Sequence, residues 1–391
     1  MSTPALADAI RSAPLDPATH PFLTAVRARL LGPVVQGSAV DDAIERLRSG
    51  GVLDEPAARA ACLDLIAGTA PDENAGALLA LLEPEGLSAE TIATFARVMR
   101  EHTTPVRPRL PPGAPLLDTC GTGGDGLGTF NVSTTVAFVV AAAGVAVAKH
   151  GNRAATSRSG SADVLEALGV RIDLDAEQVA RCIEDVGIGF MFAQHFHPAY
   201  RHVQRVRQRL TKEALPGVPA RTVFNILGPL ANPAAATHQV LGVSVPSLVP
   251  TLAGVLGRLG VVRALVVCGA TDRAGIAMDE VSTAGVTHAV ELAHGRCVSM
   301  EITPEGLGLT RVSVHELAGG DAGHNATILR AILQGTAPGP HTDVVLLNAA
   351  AALYVAGVSG SLVDGVARSR DLIGSGAALQ RLDALRDRTN A

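Results

Sequence analysis

With 391 residues, 47% of them apolar, the chain is long enough to fill two cores. Its 37 acidic residues outnumber 32 lysines and arginines, and a net charge of −5 argues against a broad surface for nucleic acid or anionic membrane. Five irregularly spaced cysteines give neither a disulfide framework nor a zinc pattern. With no basic, apolar leader and no run of roughly 18 apolar residues, the expected location is the cytoplasm.

The first 37 residues carry one predicted helix, around Phe22 to Leu31, and no readable chemistry. Ser38 and Asp41 then have capping-box spacing, and Val40, Ala43, Ile44 and Leu47 follow on one helical face. Pro56 and Pro71 stand where first turns begin. Thr91, Ile92, Phe95, Ala96 and Met99 repeat the helical spacing until Pro105 ends it. "TTPVRPRLPPGAP" places five prolines in thirteen residues, a linker signature.

Beyond the linker, "PLLDTC", "STTVAFVVAAAG", "VAVAKHG" and "SADVLEALG" alternate strand and helix. Asp175 to Leu210 reads as helices again. "HQVLGVSV", "SLVPTLAGVLGRLG" and "VRALVVCGA" resume the alternation, and "DVVLLNAAAALYVAG" is a densely apolar packing element. The expected fold is α/β: a small helical domain of two chain segments, and a larger α/β domain with a largely parallel central sheet. Residues 1–37 form an N-terminal extension, 38–104 and 174–214 the helical segments, and 105–173 and 215–391 the α/β segments.

"DTCGTGGDGLGTFNVST" contains G-x-G-x-x-G at Gly121, Gly123 and Gly126. A dinucleotide fold wants an acidic residue about twenty positions on, yet no Asp or Glu occurs from Gly126 to Ala162. A P-loop wants Lys-Ser or Lys-Thr after the glycines, and none follows. The second strand ends instead in Lys149-His150-Gly151-Asn152-Arg153. A right-handed crossover sets both loops side by side at the carboxyl ends of parallel strands. There the Gly121–Gly124 amides, helix starts near Ser133–Thr134 and Ser161, and Lys149 converge as an anion site with room for more than one phosphate. Asp125 within it suits a sugar hydroxyl or a bridging cation. The adjacent carboxylates Asp279 and Glu280 follow another strand and supply what Mg2+ takes from protein in phosphate complexes. The inferred ligand is a magnesium-bound, sugar-linked polyphosphate.

"DTCGTGGDG", "TFNVST", "KHGNR", "SGSADVLEALG", "HPAYRHVQRVR", "RTVFNILGPLANP", "MDEVS" and "LLNAAAALYVAG" together resemble the anthranilate phosphoribosyltransferase family of tryptophan biosynthesis, from about Asp41 onward. The resemblance implies a homodimer that uses phosphoribosyl pyrophosphate, anthranilate and Mg2+, with no nucleic-acid or membrane partner. Gly121, Gly124, Asp125, Thr129, Asn131, Val132, Ser133 and Thr134 would bind phosphoribosyl pyrophosphate. Lys149, His150, Gly151, Asn152, Arg153, Ala154, Ala155, Thr156, Ser157 and Ser161 would complete that site. Ser133, Asp279 and Glu280 would hold the metal. Gly121, Asn152 and Arg207 would bind anthranilate, with His150, His197 and Pro229 lining its approach.

Catalysis would be electrostatic, through Lys149 and Asp125, without an acid–base residue; Cys120 reads as a packed thiol. The chain departs from the family at Arg205 and in apparent insertions near 211–220 and 271–277. Three alternatives share the fold: transfer to another aromatic acceptor, a pyrimidine nucleoside phosphorylase, and a non-enzymatic nucleic-acid-binding relative.

Overall fold

The computed structural model describes residues 6–33, 37–154, 158–213, 215 and 221–391. The chain divides into two units, Met1–Thr103 with His197–Ala231, and Thr104–Phe196 with Asn232–Ala391.

The helical unit holds α1 (Leu6–Ser12), α2 (Pro21–Leu31), α3 (Ala39–Arg48), α4 (Glu55–Ala67), α5 (Asp72–Leu81) and α6 (Ala89–Glu101), with α11 (Arg201–Lys212) and α12 (Phe224–Leu230) from its second segment. The expected cap forms: the Ser38 hydroxyl accepts from the Asp41 amide at 3.2 Å. The Asp41 carboxylate is itself buried, held by Arg29 at 2.7 Å and Asn74 at 2.8 Å, so one acid ties α2, α3 and α5 together. The described residues 6–33 are therefore part of the helical unit and no extension. Phe22, Leu23, Val26 and Leu30 are buried, and Glu213 caps α2 by accepting from the Phe22 and Leu23 amides.

The boundaries 174 and 214 are also displaced, to 197 and 231. Helix α9 (Ala176–Val186) buries Val179, Cys182 and Ile183 against the sheet, not in the helical unit. It lies so close to the third strand that a Cβ at Gly189 would come 2.7 Å from Ile183 and 2.8 Å from the Val179 carbonyl. At the other end α12 belongs with the helices, because Phe224 meets Phe95 edge-on at 6.0 Å and Tyr200 at 5.6 Å.

The α/β unit carries β1 (Leu116–Gly121), β2 (Ala146–Gly151), β3 (Ile188–Phe192), β4 (His238–Gly242), β5 (Arg263–Ala270), β6 (Ala277–Met278), β7 (Thr287–Ala293) and β8 (Arg296–Ile302). Their order is β3-β2-β1-β4-β5-β7-β8, with β6 paired to β5. The strands from β3 to β5 are parallel; β6, β7 and β8 join antiparallel. Around the sheet lie α7 (Val132–Ala142), α8 (Ser161–Ala167), α9, α10 (Ala193–Phe196), α13 (Leu248–Arg258), α14 (Ala322–Leu333), α15 (Pro340–Val355), α16 (Leu362–Gly374) and α17 (Ala377–Asn390). Helix α7 buries nearly every residue and α15 every residue from Val344 to Leu353, as a helix between other helices and a sheet must. The chain runs outward in opposite senses from β1, to β2 on one side and to β4 on the other, which makes the β1–β4 edge a topological switch point. In such sheets ligands bind outside the strands' carboxyl ends at that point.

Candidate active site

At the switch point β1 and β4 end in register, Gly121 opposite Gly242. The hairpin from β5 to β6 turns the chain back across these ends and lays Asp279 and Glu280 over them. A Cβ at Gly121 would stand 2.1 Å from the Asp279 carboxylate, and one at Gly242 would stand 1.6 Å from the Asp279 carbonyl. At Gly269 the clash would be with the Glu280 carbonyl, at 2.6 Å. Glycine is required here by close approach. In the loop above, Gly123, Gly124, Gly126 and Gly128 are required by conformation, with φ between 67° and 79°.

That loop reaches the carboxylates directly. The Gly123 amide donates to Asp279 at 2.6 Å, and Asp125 accepts from the Leu127 amide at 3.0 Å. Enclosure by protein, and then the charge of Asp125, raise the Asp279 carboxyl above its ordinary range. Enclosure and Asp279 raise Glu280 likewise, against the opposing pull of Lys149. Each residue as a whole nonetheless keeps part of its surface exposed. Three acids brought together where they repel one another fit a divalent cation. Among the described residues no group of three or more His, Cys, Asp or Glu could hold a metal ion by itself, and Mg2+ in phosphate complexes needs only one or two protein carboxylates.

The β2 loop supplies the opposite charge. Lys149 is buried, and its ammonium donates to the Thr119 carbonyl at 2.6 Å and to the Ser133 hydroxyl at 3.3 Å. Burial lowers its pKa, while Asp118 and Glu280 support the charged form. Asp118 is fixed in turn by Asn232 at 2.8 Å. Lys149 thus contacts the helix start at Ser133, where Val132 and Thr134 are buried. Cys120 is a packed thiol as expected: it accepts from Gln239 at 3.1 Å, and burial pushes it well up.

Gly151, Asn152 and Ser161 are brought together: a Cβ at Gly151 would lie 2.0 Å from the Ser161 hydroxyl, which donates to the Asn152 carbonyl at 3.3 Å. Asn131 donates to the Ser159 carbonyl at 3.2 Å, and the Thr129 backbone bridges to Ala318. The backbone of buried His150 donates to Asp118 at 3.5 Å.

Arg153 and Ala154, expected in the donor site, have their donors paired within the chain in this structure. The Arg153 guanidinium is taken by Asp163 and Glu166 and lies 5.5 Å from the Phe192 ring centroid; the Ala154 amide donates to Asp163 at 2.9 Å. Asp163 at N3 of α8 and Glu166 thus hold these donors. Ala155, Thr156 and Ser157 lie outside the described residues.

The remaining expected residues, His197, Arg207 and Pro229, belong to the helical unit. Arg207 donates to the Tyr200 hydroxyl and stands 5.9 Å from that ring. Tyr200 packs on Phe224 of α12, the helix that carries Pro229. His197 is buried, which pulls its pKa down to about 4 and leaves it neutral near pH 7. Tyr200 escaped the sequence reading; the signal available was its place seven residues before Arg207, within helical reach. Arg205, a departure from the family, binds Asp72 at 2.9 Å. The apparent insertion near 271–277 is a folded turn, tied down by Asp272, which accepts from the Ser313 hydroxyl at 2.6 Å and the Val314 amide at 3.1 Å. Of the other, near 211–220, Ala214 and residues 216–220 lie outside the described residues.

Comparison with known proteins agrees with this fold. Residues 113–379 match the model of the glycosyl transferase family a/b domain, and residues 41–103 that of its helical bundle domain. The anthranilate phosphoribosyltransferase of Thermomicrobium roseum is 48% identical over 355 residues, 90% of this chain and 97% of that protein. Its counterpart in Anaeromyxobacter dehalogenans is 50% identical over 346 residues, 88% and 97% of the two chains. The crystal structure of the enzyme from Thermus thermophilus superposes with a TM-score of 0.81 at 44% identity, covering 90% of this chain and all of that one. The Saccharomyces cerevisiae enzyme, solved in complex with PRPP and Mg, gives 0.71 at 28% identity over 95% of this chain and 98% of its own. The chain belongs to the anthranilate phosphoribosyltransferase family.

Proposed function

We propose that this protein transfers the 5-phosphoribosyl group from phosphoribosyl pyrophosphate to the amine of anthranilate and releases pyrophosphate, a step of tryptophan biosynthesis. The observation that carries the reading is the Asp125, Asp279 and Glu280 cluster, laid over a glycine floor at the switch point of a parallel sheet. Breaking the bond from ribose C1 to pyrophosphate leaves positive charge on the sugar, and the bonding electrons depart with the leaving group. Mg2+, when bound, neutralises charge on that leaving group. Asp279, Glu280 and Ser133 would hold it, and the glycine loop from Gly121 to Gly124 would lie against the phosphate oxygens. Lys149 contributes a fixed positive charge through Ser133. The amine nitrogen forms the new bond to C1 and loses its proton to solvent, so no acid–base side chain is needed. Arg207 orients the acceptor carboxylate as a planar fork.

Relatives solved with PRPP and Mg, and with 4-fluoroanthranilate, support both substrate assignments. The homodimer and cytoplasmic location implied by family membership belong to the same reading; light scattering of the purified chain tests the first. The activity itself is tested with purified protein, phosphoribosyl pyrophosphate and Mg2+. Pyrophosphate should appear in step with the disappearance of anthranilate. Pyrophosphate release that ignores anthranilate, but responds to another aromatic amine, would overturn the acceptor.

A further inference from the structure

Helix α15 carries one polar side chain among the buried residues from Val344 to Leu353, and that side chain is Asn348. A carboxamide in such a position is costly unless every group on it is paired. Here the pairing is directed at one place. The Val281 amide donates to Asn348 Oδ1 at 2.8 Å, and Asn348 Nδ2 donates back to the Val281 carbonyl at 2.8 Å. The second Nδ2 hydrogen goes to the Val344 carbonyl at 2.9 Å. Val281 directly follows Glu280, and its N–H belongs to the peptide plane that joins the two. That plane is held from α15, while Gly242 and Gly269 bring the β4 and β5 backbones against the Asp279 and Glu280 carbonyls. The Asp279–Val281 backbone is thereby fixed from two directions.

We propose that Asn348 is a positioning residue: its two-way clamp on Val281 holds the Asp279 and Glu280 carboxylates in the orientation that receives Mg2+-bound phosphoribosyl pyrophosphate. The proposal rests on the reading of Asp279 and Glu280 as the metal pair. Two acids on adjacent residues repel one another, and the free end of a loop would turn one of them away. A peptide plane pinned by a buried amide removes that freedom before the ligand arrives, so the cost of ordering is met in folding and not in binding.

The test uses the full chain and calorimetric titration of phosphoribosyl pyrophosphate at a series of Mg2+ concentrations, with thermal melting alongside. Asn348→Ala should raise the Mg2+ concentration for half-maximal binding by about 10-fold or more, the usual effect of removing a partner that orients metal ligands. Leu353→Ala, a cavity on the same helix more than a turn away, should lower Tm while leaving that concentration within about twofold. Should Asn348→Ala not fold, Asn348→Asp keeps the acceptor for the Val281 amide and loses both donors, and a shift of the same sign is expected. In the unaltered protein the Val281 amide should be among the slowest of residues 279–284 in hydrogen exchange. A wild-type Mg2+ titration in a folded Asn348 variant, an equal shift in Leu353→Ala, or fast exchange at Val281 would each overturn the proposal. Asp279→Ala with Glu280→Ala separates it from the reading beneath: if that double variant keeps its Mg2+ dependence, the metal assignment itself fails. If it loses that dependence while Asn348→Ala does not, only the positioning role fails.

Discussion

The rim of the α/β unit and the Arg207 cluster of the helical unit are built on opposite principles. At the rim, backbone makes the arrangement: glycines at 121, 242 and 269 let main chain pass within contact of main chain, and the Gly123 amide donates to Asp279. Around Arg207, side chains do it: a guanidinium on a phenol, that phenol on Phe224, and Phe224 on Phe95. A backbone site tolerates almost no substitution, because an added Cβ meets an atom that cannot move. A side-chain cluster can be retuned one residue at a time. The donor of the reaction is therefore expected to be fixed by the rim, and acceptor choice by the cluster.

The largest effect should come from removing the rim's charge. Asp279→Ala with Glu280→Ala is expected to lower kcat/KM by at least about 100-fold, the scale of losing one key electrostatic stabiliser. Full activity in the double variant, or in excess chelator, would break the comparison on the donor side. Gly242→Ala comes next. Its Cβ would need the space of the Asp279 carbonyl, 1.6 Å away, so the metal pair must shift. Donor KM should rise about 10- to 100-fold with anthranilate KM within about threefold, since losing the orientation of metal ligands costs that much. Unchanged donor KM in this variant would mean that the floor gives way freely.

The contrast also explains what the sequence reveals. Backbone sites need glycine, and glycine at fixed spacing is visible, as Gly121, Gly123 and Gly126 are. Strands β1, β2, β4 and β5 and helix α7 are visible too, because an apolar run between turn signals has few other uses. The boundary at 174 is not, since the amphipathic pattern of α9 reads the same whether it faces helices or a sheet. Helix α2 is visible around Phe22 to Leu31, but its place in the helical unit is not, because it is completed by Glu213, 190 positions beyond Leu23. Asn348 hides inside an apolar run, and its role is apparent only once Val281 is placed against it. Likewise Arg153 reads as a cationic donor until Asp163 and Glu166 are seen to take it.

Arg207→Ala should act on the acceptor alone. A lost charged hydrogen bond is worth roughly 1.5–3 kcal/mol, so anthranilate KM should rise about 10- to 150-fold with donor KM within about threefold. Removing the substrate's carboxylate, as in aniline, should mimic the mutation, and the two losses should not add. Tyr200→Phe keeps the ring on Phe224 and removes the oxygen that steadies the guanidinium, and its effect on the same KM should be smaller. Equal damage to donor and acceptor KM in either variant would erase the division between the regions.

The smallest effect is expected two positions away, and it sharpens the assignment most. Arg205 and Arg207 share α11, yet Arg205 turns to Asp72 at 2.9 Å and leaves 61% of its side chain exposed. Arg209 holds the other oxygen of the same carboxylate at 2.7 Å, so removing Arg205 leaves Asp72 paired. Exposed pairs of this kind contribute roughly 0.2–1 kcal/mol. Arg205→Ala should accordingly shift Tm by no more than about 4 °C, with both KM values unchanged. Kinetics at two ionic strengths provide the check, since salt screens an exposed pair and should leave a substrate contact comparatively untouched. An acceptor KM that rises more in Arg205→Ala than in Arg207→Ala would place the carboxylate fork at Arg205, and the residue by which this chain departs from its family would then be the one that selects its substrate.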